Sequence, residues 1–60
     1  MKYKENELRG KRVIIEFQDK KLSGIILGIY TRNPLSVRIK LDANQGFDYA
    51  TSNIKDIEFI

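Results

Sequence analysis

The chain has no cysteine, no histidine, no tryptophan and a single proline. Without cysteine no disulfide can brace it. Without cysteine or histidine the two commonest transition-metal ligands are missing too, and neither a metal site nor a cofactor is expected. The same absences remove the usual general base and the usual thiol nucleophile, so no catalytic residue is assigned and the chain reads as non-enzymatic. Ser23, Ser36 and Ser52 have no partner base, and Asp48 and Glu58 alternate with apolar neighbours as outward strand positions do. No apolar run approaches the roughly 18 residues of a membrane span, so no membrane association is expected. The first ten residues, MKYKENELRG, carry no apolar segment of the signal-peptide kind, and a cytoplasmic location is expected.

What is present is sixty residues with 42% hydrophobic and 32% charged side chains, the balance of a folded domain. A chain of this size buries only about 60% of its unfolded surface. With disulfide and metal unavailable as props, an oligomeric or larger partner gains weight. Charge is unevenly spread. Residues 1–40 hold ten Lys/Arg against four Asp/Glu, net +6, while residues 41–60 hold Lys55 against Asp42, Asp48, Asp56 and Glu58, net −3. This reads either as an ordinary solvated surface or as one basic face for an anionic partner with a separate acidic edge. The Lys, Ile and Asn richness suits an AT-rich bacterial or phage genome.

Along the chain, residues 1–9 form an arm in which Glu5 and Arg9 are spaced as a helical i,i+4 pair and Leu8 anchors one turn. KRVIIEFQ alternates with period two, with Val13, Ile15 and Phe17 inward. DKK then reverses the chain, and a second strand runs from Leu22 to Thr31 until Asn33–Pro34 marks a turn. In that strand Gly24, Ile26, Gly28 and Tyr30 share one face and Ile25, Leu27 and Ile29 the other, and either face can be the inner one. The paired glycines predict sharp curvature. SVRIKLD is a third strand with Val37, Ile39 and Leu41 inward. ANQG turns the chain into FDYAT, SNIKD makes one tight helical turn, and IEFI closes a five-stranded order. The expected fold is all-β: one small barrel over residues 10–60, preceded by the 1–9 arm, with a 3-10 turn before the last strand. Its core comprises Val13, Ile15, Phe17, Ile26, Val37, Ile39, Leu41, Ile54 and Ile57.

GKRVIIEFQDKKLSGIILGIY resembles the first half of the Sm-like motif, and ATSNIKDIEFI resembles the end of divergent bacterial Sm-like and SH3-like proteins. The YolD-like proteins and the Rho-inhibiting antiterminators (Rof) belong to that loose group. The resemblance implies a small barrel and assembly through strand edges. Where RNA-binding Sm proteins carry an Asp and an Asn this chain has Tyr30 and Pro34, and Ala50 and Thr51 stand near the place of their Arg-Gly pair. The residues of that family's uridine pocket are therefore missing.

Three binding functions follow. The leading one is nucleic acid, held by Lys11, Arg12, Lys20, Lys21, Arg32, Arg38 and Lys40 with Tyr30 and Tyr49 as stacking platforms. Next comes protein interaction, by a homo-oligomer or by a regulator docked on a larger enzyme, through Ile14, Ile25, Leu27, Ile29, Phe59 and Ile60. The third is a sponge for a small nucleotide-like anion between protomers, clamped by Arg32 and Arg38 beside Tyr30 or Tyr49.

Overall fold

A computed structural model describes residues 3–60. It contains α1 (Glu5–Leu8), β1 (Arg12–Phe17), β2 (Lys20–Arg32), β3 (Leu35–Leu41), β4 (Tyr49–Asn53), a 3-10 turn (Ile54–Asp56) and β5 (Glu58–Phe59). The first two residues of the expected arm lie outside the described residues. The rest of the arm winds into α1, with Leu8 buried and Arg9 paired to Glu5 at 3.5 Å. The Glu7 carboxylate reaches back to accept the Lys4 N–H at 3.4 Å, satisfying a donor the short helix leaves free.

The protein is all-β beyond α1: the five strands form one antiparallel sheet in the order β4-β3-β2-β1-β5. β1 and β2 are joined through Gln18 and Asp19 alone, with φ of 49° and 64°. Two successive left-handed residues make the tight turn whose twist matches that of the flanking strands. Lys20 and Lys21, expected in the reversal, therefore already belong to β2. The loop from β3 to β4 takes positive φ at Asn44 and at Gly46, the latter at 93°. Phe47 and Asp48 stay in that loop, so β4 begins two residues later than the sequence suggests.

The edge strands β4 and β5 are consecutive in the chain, and this forces curvature. A flat sheet of five strands would hold its edges about 19 Å apart. Five residue steps from Asn53 to Glu58, three of them through a 3-10 turn, reach only about 13 Å. The sheet is thus rolled, while its hydrogen-bonded ladder ends at β4 and β5 without closing.

The concave side holds the core: Leu8, Val13, Ile15, Leu22, Ile26, Val37, Ile39 and Leu41. Ile29, Ala50, Ile54 and Ile57 pack against it, half-buried. Phe17, expected inside, is 44% exposed. It is the last residue of β1, beyond the end of the core, and its ring meets Phe47 edge-on at 5.2 Å between centroids.

The two central glycines act differently. A Cβ on Gly24 would lie 2.5 Å from the Lys40 carbonyl oxygen and 2.8 Å from Ile39 Cγ2, so β2 and β3 approach closely only because nothing is there. Near Gly28 the register slips: Ile26 faces Ile39 but Gly28 faces Arg38, leaving Leu27 as an extra residue, and a second slip lies between Ile29 and Thr31. Such bulges bend a strand and add twist. They also break its alternation. Ile25 and Leu27 stay on the convex face, but Ile29, expected beside them, turns inward to the core.

Candidate nucleic-acid interface

Strand register decides which basic residues meet. Arg12 faces Ile25, Ile25 faces Lys40, and Lys40 faces Tyr49, so these four form one row across the convex side of β1 to β4. One row along, Arg38 faces Thr51. The Arg38 guanidinium carbon lies 5.8 Å from the centre of the Tyr49 ring, within reach of a cation–π contact. Tyr30 completes the group: with Arg38, Tyr49, Ala50 and Thr51 it lines a shallow hollow of about 220 Å3. Both tyrosines are more than half exposed. Beside the hollow, Ile25 and Leu27 lie with Lys40 and Asp42 around a second shallow depression. Neither Arg38 nor Lys40 has a carboxylate within ion-pair distance among the described residues.

Arg12 lies in the same row but is engaged. Its two terminal nitrogens each donate to one Asp42 oxygen at 3.0 Å, a fork-on-fork pairing. Ser23 Oγ donates to the same carboxylate at 2.6 Å. Gln45 fastens the following loop, accepting from the Ser23 N–H at 3.0 Å and donating to the Ser23 and Asp42 carbonyls at 2.9 and 3.1 Å. The hydrogen bonds from Arg12 and Ser23 hold the Asp42 carboxyl below the usual aspartate pKa. Asp42 therefore sits inside the basic face and neutralises one of its members; it is no part of a separate acidic edge.

The other basic residues are dispersed. Lys20 and Lys21 stand at the β1–β2 turn, Arg32 at the far end of β2 opposite Leu35, and Lys11 beside α1 in a cavity shared with Glu7, Leu8, Phe59 and Ile60. Of the residues assigned to nucleic acid, the fold gathers Tyr30, Arg38, Lys40 and Tyr49. Of those assigned to an interface, Ile14 is half-buried on the convex face, Ile25 and Leu27 border the site, and Phe59 and Ile60 lie on the β5 edge. The sequence reading missed Thr51 as part of the hollow and Asp42 as the partner of Arg12. The second had a legible signal, since Asp42 follows Lys40 at the outward spacing of β3. Comparison with protein-family models, curated proteins and solved structures finds no match.

Proposed function

We propose that the chain is a non-enzymatic binding module of the Sm-like or SH3-like small-barrel kind that takes single-stranded nucleic acid on its convex face. The observation carrying this reading is the hollow where Arg38 lies over the Tyr49 ring with Tyr30 beside it, next to Lys40, which has no ion-pair partner among the described residues. Aromatic faces accept bases irrespective of sequence, and free cations follow the phosphates. The rolled five-strand order with a 3-10 turn before the last strand supports the small-barrel assignment.

Fluorescence anisotropy with short labelled single-stranded DNA and RNA at two salt concentrations tests it. Log affinity should fall with log salt by about 0.7 per phosphate neutralised, and Arg38→Ala with Lys40→Ala should flatten that slope. Tyr49→Ala should weaken binding by about 1–3 kcal/mol at either salt. No binding at low salt, or an affinity indifferent to salt, rejects the proposal. A nucleotide panel in the same assay separates a strand ligand from a small anion.

A further inference from the structure

A cleft of about 270 Å3 lies where the rolled sheet stays open, lined from β1 by Ile15, Glu16 and Phe17 and from β4 by Tyr49 to Ser52, with Leu22, Leu41 and Phe47 as its floor. Backbone direction is fixed on both banks. In β1 the Ile60 N–H donates to the Arg12 carbonyl at 3.1 Å, while Ile26 donates to the Lys11 carbonyl at 3.0 Å. By the alternation of an antiparallel ladder, Arg12, Ile14 and Glu16 turn their amides and carbonyls toward the β5 side. β5 pairs only with Val13 and Ile14, so among the described residues Glu16 meets no strand there. On the opposite bank the Leu41 N–H donates to the Asp48 carbonyl at 2.8 Å. Asp48, Ala50 and Ser52 thus turn to β3, and Tyr49 and Thr51 turn their backbone groups to the open edge.

We infer that this gap receives one extended strand from a partner protein, its apolar side chains inward and its acidic side chains outward. The two unpaired edges specify an extended backbone, because only a strand meets amides and carbonyls on both banks. The inner wall of Ile15, Phe17, Leu22, Leu41 and Phe47 specifies apolar residues at alternate positions. The convex rim specifies the charge of the others. Arg38 stands directly across the ladder from Thr51, and Lys21 stands across from Glu16 and offsets it, with neither cation in an ion pair among the described residues. β1 and β4 run in opposite directions, so a guest antiparallel to β1 lies parallel to β4. This cleft adjoins the Tyr30–Tyr49 hollow and shares Tyr49, Ala50 and Thr51 with it, but strand binding here does not depend on nucleic-acid binding.

The test uses the whole chain and a labelled peptide of alternating Ile and Glu. Controls are the Ile/Lys analogue, the Ile/Glu peptide N-methylated along its backbone, and light scattering for mass. The Ile/Glu peptide should bind saturably to a monomer and slow amide exchange at Glu16 and Thr51. The N-methylated peptide should bind about tenfold more weakly or worse, since backbone bonds go unmade. Lys21→Gln, which removes the cation without setting a like charge across from Glu16, should weaken binding several-fold. No binding, equal binding of the Ile/Lys or N-methylated peptide, or protection confined elsewhere overturns the inference. So does a dimer whose Glu16 and Thr51 amides are already protected, because a second copy then fills the gap.

Discussion

At Gly24 and Asp42 single side chains, one absent and one present, set what neighbouring strands can do. Gly24→Ala would drive a methyl into the Lys40 carbonyl and Ile39, and the contacted backbone cannot swing aside. Overpacking of this sort costs about 1–3 kcal/mol. A sixty-residue domain has roughly 3–9 kcal/mol in total, so the urea midpoint should fall sharply. Asp42 makes a prediction about pH. Its pKa is depressed in the folded state by Arg12 and Ser23, so the unfolded chain takes up a proton first as pH falls. The stabilisation is complete above the ordinary aspartate value and is lost as pH drops through the depressed one. Urea unfolding from neutral to strongly acid pH should show that loss, and Asp42→Asn should remove this part of the slope. An acid slope identical in the variant would refute the assignment. Gly24 was visible in the sequence as a glycine inside a strand, but what it makes room for was not, since that depends on β3.

The β1–β2 turn and the seat of α1 both depart from residue preference. Gln18 and Asp19 hold left-handed conformations that cost an L-residue about 1–2 kcal/mol each. Asp19→Gly removes one such cost and adds about 0.5–1 kcal/mol of chain entropy to the unfolded state. A net gain of roughly 0.5–1 kcal/mol in denaturant unfolding is expected. α1 is seated on β2 by charge. The Glu5 carboxylate accepts the Ile29 N–H at 2.9 Å above Gly28, and Arg9 Nε donates to the Leu27 carbonyl at 3.2 Å. Gly28→Ala would displace that carboxylate, which lies 2.8 Å from the added carbon. The Ile29 amide should then exchange faster, and stability should drop by about 1 kcal/mol. In an Glu5→Ala background Gly28→Ala should add little, which a double-mutant cycle reads directly. The i,i+4 spacing of Glu5 and Arg9 announced the helical turn. Its docking on a bulge, through contacts that span 18 and 24 residues, was not legible, because period-two alternation carries no record of an inserted residue. The same blindness put Ile29 on the wrong face.

At the scale of the molecule, alternation located the strands and, among the described residues, six of the eight buried hydrophobic side chains: Val13, Ile15, Ile26, Val37, Ile39 and Leu41. Leu8 and Leu22 escaped it, one on a helix too short for periodicity and the other just past a turn placed too late. Phe17 was misplaced because the alternation does not say where along a strand the core stops. The site was legible in its residue types and only partly in its grouping, since register alone separates Arg38 from the occupied Arg12. With so small a core, Ile26→Ala or Ile39→Ala should cost about 2–5 kcal/mol, much of the total. Circular dichroism should show either variant largely unfolded at 37 °C. Finally, the last strand lies beside the first. During synthesis β1 stays without its outer neighbour until residue 59 has left the ribosome, so the sheet is finished only at the end of translation of this segment. Pairing across that sequence distance belongs to the slow, non-local class, which puts folding on the slower side for a domain of its length.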